Sequence, residues 1–212
     1  MRVLGIDPGI TRCGIGVVDV DPARRAELIH VSVVRSKTEL ATHFRLSRIS
    51  EGIRECLKEY KPEVVAIERV FAQDNLQSVT TTMMVMGCAM SVVGSARLPM
   101  AVYTPSEVKA AVTGNGNANK VQVQTMVARI LKLDKLPKPA DAADSLAVAI
   151  CHAWRGTGLL GTSSDEDFSV SLSGKVSSRK ALTPAQQQWA TAQANYRRTG
   201  AVASGNRPRR NG

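Results

Sequence analysis

The chain has 212 residues and a formal net charge of +10. That length allows one domain with a substantial core plus a tail, and the charge favours a polyanionic partner. Four widely spaced cysteines, Cys13, Cys56, Cys88 and Cys151, form no Cys-x-x-Cys pair. This excludes a disulfide scaffold, argues against zinc, and reads as reduced, mostly buried thiols of a cytoplasmic protein.

In chain order, Arg2–Asp7 and Gly14–Asp19 are β-rich runs on either side of Pro8-Gly9 and predict a hairpin. Leu28–Val34 predicts a third strand. From about Ala41 to Tyr60 the pattern turns helical, with Phe44, Ile49, Ile53 and Leu57 recurring among charges, and Pro62 closes it. "EVVAIE" is a continuous apolar run ending on Glu68, as expected of a strand covered on both faces. Gln77–Arg97 predicts a helix rich in Met and small residues. Its most apolar part, Val79 to Ala96, carries three Thr, two Ser and two Gly. It reads as too short and too polar for a membrane span and is expected to be buried. The run straight into a strand from Met1 shows no signal peptide pattern.

"MAVYT" predicts a fifth strand. "TPSE" at Thr104–Glu107 fits a capping box with Pro at the first helical position, and that helix ends near Gly114. Asn119 can cap a helix over Lys120–Leu133, and Ala140–Trp154 is a last helix stopped by Gly156. Three strands, then helix–strand–helix–strand, then helices indicate a mixed α/β sheet layered with helices. The helical crossover makes the first strand and "VVAIE" parallel neighbours. Two regions result: a domain over 1–155 and a basic tail over 156–212 whose hydrophobic period is gone and which reads as disordered. Residues 1–155 hold 20 Lys+Arg against 15 Asp+Glu, and 156–212 hold 8 against 3, so each part has net charge +5.

Two predicted strands end in acids, Asp7 and Glu68. Parallel neighbours put both at the carboxyl edge of the sheet, where open α/β sheets bind ligands. "PADAADSL" adds Asp141 and Asp144, three residues apart and so on one helix face. Taken alone, Asp141 reads most simply as a cap or dipole partner. Taken together, clustered carboxylates in a basic chain repel unless a cation sits among them. A hard divalent ion resolves this, and two can clamp the attacking and leaving oxygens of a phosphodiester. The pattern therefore points to a metal-dependent nuclease. The phosphate-loop pattern GxxxxGK[ST] does not occur.

"GIDPGITRCGIGVVD", "AIERVFAQDN", "PSEVKAAVTGNGNANKVQVQ" and "PADAADSLAVAI", in this order and spacing, closely resemble the RuvC family of bacterial Holliday junction resolvases over about residues 1–155. The resemblance implies an RNase H-like mixed five-stranded sheet with helices on both faces. It implies a homodimer that nicks two opposing strands of a four-way DNA junction during recombination and repair. Mg²⁺ is the implied cofactor, one or two ions per subunit, with Mn²⁺ able to substitute. By the resemblance Asp7, Glu68, Asp141 and Asp144 are the catalytic acids and metal ligands; some relatives carry His where Asp144 stands. Phe71 falls on an aromatic that inserts among bases, and Lys109 and Lys120 fall on basic residues near the scissile backbone. The implied partner is the RuvA–RuvB branch-migration complex, and no membrane is involved.

The residues read on their own agree. Phe71 lies three past Glu68 in a chain with only 4% aromatics, and stacking on an unpaired base competes with an ordinary core role. Lys109 and Lys120 flank a Gly/Asn loop and suit phosphate contacts, as does Arg69 beside Glu68. His30, His43 and His152 are given no role. The Met-rich stretch Met83–Met90 reads as core packing first and as a dimer seam second. Competing readings are a nuclease acting on RNA or RNA–DNA hybrid, a non-catalytic junction binder, and a sugar-kinase or actin-like ATPase, the last excluded by length.

Overall fold

In the computed structural model, residues 1–69, 76–156 and 159–160 are described. The side chains of 76–77 and 159–160 are outside that description, as are Phe71 and the expected tail beyond 160. All described residues lie in one compact unit, Met1–Ser171.

Six strands form one sheet: β1 (Arg2–Asp7), β2 (Arg12–Val20), β3 (Ala26–Arg35), β4 (Val64–Glu68), β5 (Met100–Tyr103) and the two-residue β6 (Leu159–Leu160). Their spatial order is β3-β2-β1-β4-β5-β6. The first three strands pair antiparallel, with Gly5 opposite Gly16 and Asp7 opposite Gly14. β4 joins β1 in parallel, Ile6 beside Ile67, and β5 joins β4 in parallel, Glu68 beside Tyr103. The five strands read from the sequence are all present, and β6 adds a short antiparallel edge.

Alternation splits the sheet into two buried faces. On one, Val3, Val18, Val64, Ala66 and Tyr103 pack against α3 (Pro105–Thr113), α4 (Lys120–Ile130) and α5 (Ala140–Arg155). On the other, Leu4, Ile6, Ile15, Val65 and Ile67 pack against α1 (Thr42–Tyr60) and α2 (Leu76–Ser95). The central strands β1 and β4 are covered on both sides, which is why they read as continuous apolar runs.

Local chemistry sets the helix ends. The predicted capping box forms between Thr104 and Glu107, and the expected Asn119 cap is completed into a second box by Gln122. Gly156 closes α5 in the left-handed region at φ 59°. Two expectations need correction. Phe44 is 60% exposed, so the buried stripe of α1 is Ile49, Ile53 and Leu57. The helix α2 is neither too short nor too polar to span a bilayer by length and composition: Ser78–Ser95 has mean hydropathy 1.3, yet only 28% of it is buried. Its hydroxyls do not break it because they bond back to their own helix, Thr82 Oγ1 to the Ser78 carbonyl at 2.9 Å and Ser95 Oγ to Ser91 at 2.8 Å. Val85, Ala89, Val92 and Val93 pack on the sheet and Val79 is buried, whereas Met83 and Met84 are exposed.

The tightest packing in the fold is between α5 and the β1–β2 hairpin. A Cβ on Gly5 would meet the Ser145 carbonyl and come within 2.7 Å of the Ala149 nitrogen. One on Gly14 would strike the Asp141 carbonyl, and one on Gly16 would lie 2.9 Å from the Leu146 nitrogen. The helix backbone rests on the strands where side chains are missing. Gly5→Ala should therefore destabilise the protein by about 1–3 kcal/mol, because backbone and not a flexible side chain must move. Gly94→Ala, on α2 with nothing within 4 Å, should be neutral or slightly stabilising. Thermal denaturation of both variants checks the contrast.

Candidate active site

Strand direction, helix placement and loop capping converge at one sheet edge. Asp7 is the last residue of β1 and Glu68 the last of β4, and the strands are parallel. The edge is thus the one their carboxyl ends share. Helix α5 begins over the same edge, because Asp141 sits above Gly14, the partner of Asp7.

Asp141 does not cap its helix. The N-cap position is Pro139, after a cis Lys138–Pro139 bond, and no side chain caps it. Asp141 instead pairs with Arg12, Nε to Oδ2 at 3.2 Å. Asp144, one turn on, pairs with Lys120 Nζ at 2.8 Å. The carboxylates of Asp7, Asp141 and Asp144 each offer an oxygen within 4.8 Å of the other two. Glu68 is outside that tightest trio but adjoins it. It lines a cleft of about 210 Å³ with Lys109, Lys120 and Asp144. Arg69 continues from Glu68, and its amide donates to the Tyr103 carbonyl at 2.6 Å, which extends the β4–β5 pairing past the acid.

The electrostatics follow from this crowding. Burial pushes the Asp7 carboxyl up to about 8, and the charges of Glu68, Asp144 and Asp141 add to the effect while Lys120 opposes it. Glu68 is pushed up to about 7, first by burial and then by Asp144, with Lys109 and Lys120 pulling it back. Lys120 is raised by its hydrogen bond to Asp144. The site is under-compensated in charge: the three cations at its rim, Arg12, Lys109 and Lys120, do not offset three aspartates plus Glu68. This donor set, hard oxygen ligands with an unmet demand for positive charge, fits a divalent cation.

Of the residues singled out in the sequence, Asp7, Glu68, Asp141, Asp144, Lys109 and Lys120 come together here. Arg69 adjoins Glu68, and Phe71 lies outside the described residues. Sequence reasoning missed Arg12; only the placement of α5 over β2 brings it to Asp141. Nearby Cys13 is buried, its thiol pushed up to about 12 by burial and by Asp7, so it is no nucleophile. His152 is buried and bonded to the Tyr103 hydroxyl, Nδ1 to Oη at 2.8 Å.

Comparison with known proteins bears on this arrangement. A family profile described as crossover junction endodeoxyribonuclease RuvC matches residues 3–152. A protein of that name from Leifsonia xyli subsp. xyli is 52% identical over 199 residues, covering 94% of this chain and 95% of its own. Thermus thermophilus RuvC, solved in complex with a Holliday junction substrate, superposes with a TM-score of 0.71 at 37% identity, covering 74% of this chain and 94% of its own. The yeast mitochondrial Holliday junction resolvase shares the fold, with a TM-score of 0.53 at 13% identity over 70% of this chain and 77% of its own.

The raised carboxyl of Asp7 has a measurable consequence. A group whose folded pKa lies above its unfolded value near 3.8 binds more protons when folded. Its contribution therefore turns unfavourable as pH rises from about 4 to about 8. Without divalent ions, the protein should lose on the order of 3 kcal/mol between pH 5 and 8 relative to Asp7→Asn. Added Mg²⁺ should raise the wild-type midpoint more at pH 8 than at pH 5. Calorimetry across pH, with and without the ion, measures both.

Proposed function

The chain belongs to the RuvC family of crossover junction endodeoxyribonucleases, and on that premise we propose how its residues divide the work of resolving a Holliday junction. It is a metal-dependent endodeoxyribonuclease of the RNase H-like resolvase class. The reaction is paired, symmetric nicking of opposing strands of a four-way DNA junction, leaving 3′ hydroxyl and 5′ phosphate ends. The observation that carries the residue assignment is the approach of Asp7, Asp141 and Asp144 within 4.8 Å, with Glu68 on the adjoining strand end.

Asp7, Glu68, Asp141 and Asp144 would hold Mg²⁺, with Mn²⁺ as a substitute. One or two such ions bound there supply Lewis-acid stabilisation of the phosphate and an activated water. The chain's own groups do the rest. Asp7 and Glu68, whose carboxyls burial pushes up, would serve as ligands in their ionised form. Lys120 is held beside the acids by Asp144 and is positioned to take up phosphate charge. Lys109 lines the same cleft and serves the same end. Arg69 contacts the backbone beyond Glu68, and Phe71 stacks on an unpaired base at the crossover.

The wider reading has separate support. Two active sites must face two strands, which calls for a homodimer. The exposed Met83 and Met84 on α2 suit its seam, because flexible apolar side chains standing in water favour burial against a copy. The RuvA–RuvB branch-migration complex is the partner that family membership suggests. The four free cysteines suit the cytoplasm. Residues 1–155 form the nuclease domain, a division supported by the profile match over 3–152, and 156–212 form the basic tail.

The test is a synthetic four-way junction incubated with protein and Mg²⁺, products mapped on all four strands, beside a linear duplex and an RNA–DNA hybrid. Wild type should give symmetric nicks on the junction only. Glu68→Gln should keep junction binding and lose cleavage by about 100-fold or more. Near-normal nicking by that variant removes Glu68 from the catalytic set. Hybrid cleavage at the junction rate moves the protein to a different nuclease class.

A further inference from the structure

The edge of the sheet opposite the acids carries a feature that junction cleavage leaves unused. Parallel strands β1 and β4 start there, and β5 starts there too. Between the ends of α1 and α2 lies a groove of about 550 Å³. Its floor is apolar: Leu57 and Val92 are buried, and Leu98 is half-buried. Its rim is cationic: Arg54, Lys58 and Lys61 are all exposed. Lys61 is also the left-handed C-cap of α1, at φ 47°. No acidic residue lines the groove, and none of the three cations makes an ion pair among the described residues. Arg54 and Lys58 stand four apart on one helix, a like-charge spacing that costs stability. An apolar floor inside an unpaired basic rim is complementary to an acidic segment carrying a large apolar side chain.

The chain holds one such segment, a few residues past the end of β6. After residue 155 there are three acidic residues, Asp165, Glu166 and Asp167; they are consecutive, and Phe168 follows directly. Strand β6 ends at Leu160 opposite Met100, two residues from Leu98 on the groove floor. β6 runs antiparallel to β5, so the chain heads toward the edge where β5 begins. Asp165 is five residues beyond Leu160, a reach of up to about 17 Å for an extended chain.

We propose that this groove seats the chain's own Asp165–Phe168 segment, with Phe168 on the Leu57–Val92–Leu98 floor and the three acids against Arg54, Lys58 and Lys61. Docking there would fasten the start of the tail to the face away from the active site. The more basic remainder, from Lys175 onward, would then be free of acidic neighbours and able to meet polyanions.

Hydrogen exchange on the full-length protein tests this. Phe168→Ala should speed amide exchange over 57–62 and 92–98 by about threefold or more, with protection in β1 and α5 unchanged. Lys58→Glu with Lys61→Glu should do the same. Adding Asp165→Lys and Asp167→Lys to that pair should restore protection, an outcome that a change in local helix stability would not produce. Equal exchange in wild type and Phe168→Ala overturns the proposal. So does failure of the charge swap to restore protection. Protection that grows with protein concentration identifies docking between copies, and protection that appears only with added duplex DNA identifies a nucleic-acid surface; either result overturns it as well.

Discussion

The fold depends on the contact between the backbone of α5 and the glycines of the first hairpin. Gly5, Gly14 and Gly16 present no side chain to the helix, so Ser145, Leu146 and Asp141 approach to backbone distance. That closeness sets the position of the first turn of α5 relative to the end of β1. Asp7 is 134 residues before Asp141 in sequence, yet their carboxylates fall within 4.8 Å.

The same contact creates an electrostatic cost. Bringing Asp7 and the α5 acids together under partial burial raises the proton affinity of Asp7, and Glu68 follows through burial and Asp144. The protein offsets part of this with Arg12 and Lys120, each paired to a different aspartate. Both cations are more than half exposed, so each can swing out toward solvent or phosphate with little loss of packing. Clustered acids on a rigid sheet edge, with cations on movable stems, form a site whose carboxyls are fixed in place and whose positive charge is exchangeable.

The two ends of the sheet therefore differ in character. The carboxyl ends of β1 and β4 carry acids that call for a cation. The amino ends carry an apolar groove with a basic rim that calls for an anion. The exposed methionines of α2 lie on a third surface. The acids at one edge and the cations Arg54, Lys58 and Lys61 at the other are separate sets of side chains.

Much of this was legible in the sequence because the relevant signals are local. Strand runs, the Thr104 capping box, the Asn119 cap, the Gly156 stop and the acids at strand ends follow from period and from short-range hydrogen bonding. The parallel pairing of β1 and β4 followed from the crossover rule, which placed Asp7 and Glu68 at one edge. The exposure of Phe44 and of the α2 methionines was not legible, because an apolar period marks a face without saying whether anything covers it. The pairing of Arg12 with Asp141 was not legible either, since it requires the docking of α5 on β2. What the sequence by itself determined is which chemistry the chain carries and at which strand and helix ends it sits, because those ends are set by residues a few positions apart. What only the tertiary structure decided is which charges meet and which faces stay open, because a glycine's missing side chain acts through whatever element packs into the space it leaves.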